Sequence, residues 1–156
     1  MSTEFCKNSL EAAFCAVLSL GIPPEEINTT ISAVCGRMKL EELKGRFLID
    51  NSNSGTKLKF IDEITEMARE ISEKMILIVG EESEYVCEGV SMEGLQKVVE
   101  QRASDFVEIL IVGEGFKQKI KGKNVFFSDR LDTALEKAVN DSKDGFVIVS
   151  NVKTWR

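Results

Sequence analysis

The 156-residue chain contains no histidine. That absence removes the imidazole base from any Ser-His-Asp or Cys-His arrangement and takes away the commonest neutral metal ligand. Four cysteines stand at positions 6, 15, 35 and 87, and no two form a Cys-x-x-Cys pair. A zinc site needs three or four well-placed ligands, so no metal site is expected here. The thiols read as free, in a reducing cytosol, with Cys15 and Cys35 serving as small apolar helix residues. No apolar run approaches the roughly 20 residues of a membrane span. The opening MSTEFCKNSLEAAF lacks a basic segment followed by a cleavable apolar core, so no signal peptide is expected and a cytoplasmic location is. Positive charge is in deficit too: 20 Lys and Arg against 26 Asp and Glu give a net charge of −6. This excludes the basic face that nucleic acid requires. It leaves room for a nucleotide, whose phosphates need only local donors.

Two nucleotide fingerprints are missing as well. A P-loop wraps phosphates with the backbone of GxxxxGK[ST]. Here Gly122-Lys123 is followed by Asn124, and Lys117 stands where the first glycine belongs. A dinucleotide GxGxxG fails at its third position, because Gln118 follows Gly113 and Gly115.

What is present is an alternation. Residues 8–20 read as a helix with Leu10, Phe14, Val17 and Leu18 on one face, closed by Gly21. Pro23-Pro24-Glu25-Glu26 opens a second helix, with proline and acids where a first turn favours them. Residues 36–45 read as a charged connector. From Arg46 onward, apolar runs at 47–49, 76–79, 109–112, 125–127 and 146–149 are separated mostly by helical patterns at 57–72, 91–101 and 129–140. Strands apolar on both faces with helices between them predict a Rossmann-like α/β fold. It is a mostly parallel sheet of about five to six strands, covered on both faces and preceded by two helices. About 156 residues suit one such domain plus a small attachment. The expected organisation is residues 1–36 as two helices, 37–45 as a hinge and 46–156 as the sheet domain.

In such sheets ligands bind along the carboxyl ends of the strands. The richest of these ends is Arg46 to Lys59, RFLIDNSNSGTKLK. Here a short apolar run stops at Asp50, and Asn51, Ser52, Asn53, Ser54, Gly55 and Thr56 lead into a helical pattern. Turns and helix caps account for single Gly, Ser or Asp residues at strand ends. One acid, two Asn and two Ser in a single loop exceed what a turn needs, so Asp50, Asn51, Ser52 and Asn53 are the leading site candidates. Lys57 is a weaker one.

The order of motifs from Asn8 to Ser150 resembles the end of a Mur ligase. Asn8-Ser9-Leu10-Glu11-Ala12-Ala13 is similar to the Asn-x-Leu-x-Ala helix that closes that family's central domain. Gly36-Arg37-Met38 resembles its Gly-Arg-Met/Leu hinge, and Leu48-Ile49-Asp50-Asn51-Ser52 its Ile-Asp-Asp-Ser/Tyr segment. The resemblance implies an ATP-dependent ligase that joins a carboxylate to an amine through an acyl phosphate. ATP and Mg²⁺ would be held mostly by a central domain whose P-loop this chain does not carry. It implies that Asn8 faces the adenine, Arg37 reaches the phosphates, Asp50 contacts the nucleotide when the domains close, and residues 51–53 lie beside them. Arg37 and Asp50 would be the catalytic pair.

The sequence also departs from the family. Glu4-Phe5 stands where His-Asn is expected, and Val149-Ser150-Asn151-Val152-Lys153 replaces Gly-Ser-Arg or Gly-Lys-Gly. These departures argue against a peptidoglycan substrate. The Asp-Asn-Ser-Asn-Ser-Gly-Thr string is more similar to a methanogen branch that closes a ring on a nickel tetrapyrrole by activating a propionate side chain. Partners would be a nucleotide and a small-molecule carboxylate or amine, with neither nucleic acid nor membrane. Two other readings stay open: a non-enzymatic Rossmann-like module that binds a ligand or partner, and a flavodoxin-like domain. Ser52–Thr56 resembles the hydroxyl-rich FMN phosphate loop of the latter.

Overall fold

The computed structural model describes residues 15–16, 18–21, 23, 38–82, 89–117 and 119–155. The chain separates into two compact units, residues 1–36 and 37–156. Little of the first is described: residues 15–16 and 18–19 are helical, and the Ser19 hydroxyl donates to the Cys15 carbonyl at 2.7 Å. Most of the two expected leading helices, with Asn8 and Arg37, lies outside the described residues.

The second unit begins with a strand where a connector was expected. Lys39–Leu43 (β1) pairs antiparallel with Arg46–Asp50 (β2), Leu40 opposite Ile49. The cause is the turn: Lys44 and Gly45 both take positive φ, 50° and 78°. Two such residues make a two-residue turn whose twist matches a hairpin. Three charged side chains in KLEEL also suit an edge strand, because charge discourages pairing with another chain. Periodicity could not reveal a five-residue strand so rich in charge.

The other elements fall where the apolar runs predict them. They are Ile61–Ile71 (α1), Met75–Glu81 (β3), Met92–Arg102 (α2), Glu108–Val112 (β4), Val125–Ser128 (β5), Leu131–Asp141 (α3) and Val147–Lys153 (β6). The sheet order is β1-β2-β6-β3-β4-β5, and every pairing beyond the first hairpin is parallel. This is the expected mostly parallel α/β sheet, with six strands.

Alternation along the strands sorts the core onto two faces. On one, Leu48, Ile76, Ile78, Leu110, Val112, Ile148 and Val152 pack with Leu131, Ala134, Ala138 and Val139 of α3. On the other, Ile49, Leu77, Val79, Ile111 and Val149 are buried, and α1 and α2 contribute buried Ile61, Ile64, Ala68, Leu95 and Val99. Each fully buried Ile or Leu contributes about 1.5–3 kcal/mol of transfer free energy, so these two layers fix the register of every strand.

β6 is the central difference from the sequence reading. The apolar run ends at Val149, yet the strand continues through Ser150, Asn151, Val152 and Lys153, and all of them are buried. Polar residues can occupy a central strand when their hydrogen bonds are met inside the protein. Those bonds build the site.

Candidate functional site

The carboxyl ends of β2, β6, β3 and β4 lie side by side, and the loop after β2 is stitched to the end of β6. The Asn51 N–H donates to the Ser150 carbonyl at 2.8 Å, and the Asn53 N–H donates to the Val152 carbonyl at 3.1 Å. Side chains repeat the connection. The Asn51 amide donates to Asn151 Oδ1 at 2.7 Å. The Ser52 and Ser150 hydroxyls are hydrogen-bonded at 2.6 Å, and the Ser52 hydroxyl oxygen accepts the Val152 N–H at 3.1 Å. The Thr56 hydroxyl donates to the Asn51 carbonyl. Ser150 is 0% exposed and Asn151 1%, so these bonds form away from water, where an unmade one is costly.

The loop also folds on itself. Asp50 Oδ1 accepts the Ser52 N–H and Asn53 Oδ1 accepts the Gly55 N–H, each at 2.9 Å. Both are turns in which a side-chain oxygen imitates a backbone carbonyl two residues ahead. The Asn53 amide donates to the Asn51 carbonyl at 2.9 Å. Of the sequence candidates, the structure brings Asp50, Asn51, Ser52 and Asn53 together. It buries Asn51 and Ser52 and leaves Asp50 and Asn53 half-buried. The loop therefore has a buried fastening formed by Asn51, Ser52 and Thr56, and an upper lip formed by Asp50 and Asn53.

Neighbouring strand ends carry further polar residues. The Glu82 N–H donates to the Lys153 carbonyl at 3.0 Å. The Glu82 carboxylate accepts from the Thr154 hydroxyl at 2.9 Å and from the Leu131 N–H, at the start of α3, at 3.1 Å. One acid thus ties β6 to α3, at the helix end where negative charge is favoured. Glu81 lies beside Lys153 in the β3–β6 register and accepts the Val90 N–H at 2.6 Å. The polar run Ser150-Asn151-Val152-Lys153 was the available signal: a strand that stays extended after turning polar marks a ligand edge.

Two glycines allow these ends to lie so close. Gly80 and Gly113 have φ of 136° and 119°. A Cβ on Gly80 would strike the Val112 carbonyl oxygen, and one on Gly113 would sit 2.6 Å from that of Glu81. Only glycine fits a backbone with that torsion and that contact.

On the α1–α2 side of this edge is a cavity of about 180 Å³. Its walls are residues 56–58 and Gly89–Ser91, with Asn151 and Lys153 at the strand end. Among the described residues, no group of three or more acidic, Cys or His side chains is placed to hold a metal ion.

A model of the family described as coenzyme F430 synthetase CfbE, C-terminal domain, matches residues 40–154. The chain belongs to this family. It is 32% identical to the coenzyme F(430) synthetase of Methanosarcina acetivorans over 96% of its own length. It spans about a third of that relative, 33%. The fold of this CfbE-type domain is that of the Mur ligase C-terminal domain. MurF from Acinetobacter baumannii superposes with a TM-score of 0.73 at 14% identity, covering 98% of this chain and 36% of that one. A MurF ligase from Thermotoga maritima, crystallised with ADP, superposes with a TM-score of 0.62 at 20% identity, covering 89% and 32%. The resemblance drawn from Asn8, Gly36-Arg37-Met38 and the Asp50 loop therefore named the right family. No described helix is long and apolar enough to cross a membrane.

Proposed function

We propose that this chain is the closing, C-terminal part of an ATP-dependent Mur-type ligase acting in coenzyme F430 formation in the cytoplasm. The observation that carries this reading is the family match over residues 40–154. ATP would supply the phosphoryl group that turns a substrate carboxylate into an acyl phosphate. ATP and Mg²⁺ would be held mainly by protein outside this chain, which lacks a P-loop. The small-molecule substrate is a tetrapyrrole, in keeping with the product named for the Methanosarcina relative.

Within this scheme the chain's own residues position and neutralise. Arg37 offers a planar guanidinium for phosphate oxygens, the geometry best suited to that charge. Asp50, held by the Ser52 N–H, presents its carboxylate to the nucleotide as a hydrogen-bond acceptor. Asn8 faces the base. Asn51 and Ser52 hold Asp50 in place by anchoring the loop to β6, while Asn53 shapes the lip. In this reading residues 1–36 belong with the preceding domain.

Turnover tests this directly. In the full-length ligase, Arg37→Ala lowers kcat by about 10²–10³-fold, the usual loss when a charge-stabilising donor is removed. Near-normal turnover would remove Arg37 from the site. Titrated by calorimetry, the 156-residue chain alone shows no micromolar ATP binding. Such binding would contradict a site divided between two domains.

A further inference from the structure

The two outer strands of the sheet are finished differently. β1 carries three charges in its five residues, which discourages another chain from pairing with it. β5, Val125–Ser128, reads VFFS and carries none. It pairs with β4 alone. The Asn124 and Ser128 carbonyls accept from Ile109 and Gly113 on the β4 side. Alternation then turns the N–H and C=O groups of Val125 and Phe127 away from the sheet. The Phe126 side chain, on the α3 face beside Lys137, is 46% exposed.

Basic charge adjoins this uncharged edge. Residues 117–123, KQKIKGK, hold four of the chain's 20 bases and no acid. All four lysines are exposed, and none makes an ion pair with a described residue. Their backbone is fixed on α2. Gln96 Oε1 accepts the Lys121 N–H at 3.0 Å, and the Gln96 amide donates to the Lys121 carbonyl at 3.3 Å. Phe116 and Ile120 are buried, and a Cβ on Gly122 would lie 2.5 Å from Val125 Cγ2. Lys121 and Lys123 lead straight into β5, at the end of the sheet away from Asp50. At the strand's other end Asp129 and Arg130 offset each other.

We propose that β5 is a docking edge for an acidic partner segment, an extended stretch of another protein in which acids alternate with apolar residues. Successive side chains of a strand point to opposite faces. Paired along β5, such a segment sets its apolar row beside Phe126 and its acidic row towards Lys121 and Lys123. Main-chain bonds to Val125 and Phe127 supply affinity, and the lysines select the charge. Two other occupants fit less well. A second copy paired antiparallel over all four residues would set Lys123 opposite the second copy's Arg130, base against base. The net charge of −6 repels nucleic acid. The proposal does not depend on the ligase reading.

Backbone NMR and amide exchange of the 156-residue chain test it. The probe is a blocked Glu-Val repeat peptide, and the controls are a blocked Lys-Val repeat and single-stranded oligouridylate. The acidic peptide gives saturable shifts across Val125–Ser128 and slows exchange of the Val125 and Phe127 amides. Lys121→Glu combined with Lys123→Glu weakens its binding at least about tenfold, since two exposed charges are reversed. Phe127→Pro removes one outward N–H, a change an edge strand tolerates, and abolishes the shifts. If Phe127→Pro does not fold, the lysine variant decides the matter.

No saturable shift, unchanged binding in the lysine variant, or equal binding by the basic peptide overturns the docking edge. Tighter binding of oligouridylate overturns the choice of partner. A dimer in sedimentation equilibrium that Phe127→Pro abolishes would give the edge to a second copy instead. The full-length ligase binds the acidic peptide as the chain does. Loss of binding there would mean that the ligase covers its own edge, and the proposal fails.

Discussion

The two ends of the sheet use polar residues in opposite ways. At the carboxyl edge, Asn51, Ser52, Ser150 and Asn151 are buried, neutral and hydrogen-bonded to one another and to the backbone. At the opposite edge the polar contacts are ionic. Lys137 Nζ lies 2.8 Å from the buried Glu108 carboxylate, also pairs with Asp141, and sits 4.5 Å from the centre of the Phe126 ring. Arg46 pairs with Asp144 at 3.2 Å and donates to the Ser142 carbonyl at 2.6 Å. Neutral hydrogen bonds fix positions without adding charge of their own, so Asp50, Glu81, Glu82 and Lys153 set the charge at the ligand edge. The ionic edge uses its charge to close the fold.

If that contrast is right, the largest loss of stability comes from the neutral end. Ser52→Ala removes the partner of the Ser150 hydroxyl and leaves the buried Val152 N–H without its acceptor. An unsatisfied buried group costs about 1–3 kcal/mol, so about 2 kcal/mol is expected in urea unfolding at unchanged m-value. A loss below half of that would mean water replaces the hydroxyl and the fastening is not dry. In the full-length ligase the same variant lowers turnover by loosening Asp50, whose Oδ1 is held by the Ser52 N–H.

The ionic end comes next. Lys137→Met leaves Glu108 buried beside an apolar chain. Because the Lys137 side chain is 34% exposed and solvent screens the pair, about 1 kcal/mol is expected, well under the figure for a fully buried pair. The hydrogen bonds to Asp141 and Glu108 raise the Lys137 pKa above its ordinary value, against a smaller opposing effect of burial. A raised folded-state value stabilises fully below the unfolded lysine pKa and is lost as pH rises through the folded one. The wild type therefore keeps this contribution from pH 6 to 9 and loses it only in strongly alkaline solution, roughly above 10.4. Denaturation midpoints across pH check this: a Lys137-dependent loss of stability between pH 6 and 9 would contradict it.

The sequence made one of these ends easier to read than the other. Apolar runs located five strands, because strands buried on both faces are continuous in Val, Ile and Leu. The Asp50 loop was visible as an excess of small polar residues after such a run. Hidden from it were β1, whose charged KLEEL pattern has no apolar period, and the continuation of β6 past Asn151 to Lys153. Ser150, Asn151 and Lys153 look like surface residues until the 51–53 loop is laid against them, a contact about 100 positions away in sequence. Lys153 was missed for the same reason. A polar residue declares its role through its partner, and the partner is set by topology. Arg37 and Asn8 rest on motif resemblance, as both lie outside the described residues.

The smallest expected effect sharpens the comparison from a third place, the surface between α1 and α2. Arg102 donates to Asp62 at 2.6 Å and to Asp105 at 3.1 Å, and Arg69 reaches Asp105 at 3.0 Å. The hydrogen bond to Asp62 is the main reason the Arg102 pKa is raised, so the guanidinium stays charged at every accessible pH. Asp62 is 74% exposed, however, and water competes for it. Arg102→Gln should cost about 0.5 kcal/mol, and that cost should vanish in 1 M salt, where exposed pairs are screened. The Ser52→Ala loss should be indifferent to salt, because nothing in that fastening carries charge. Equal salt responses in the two variants would break the distinction between a neutral ligand edge and an ionic periphery.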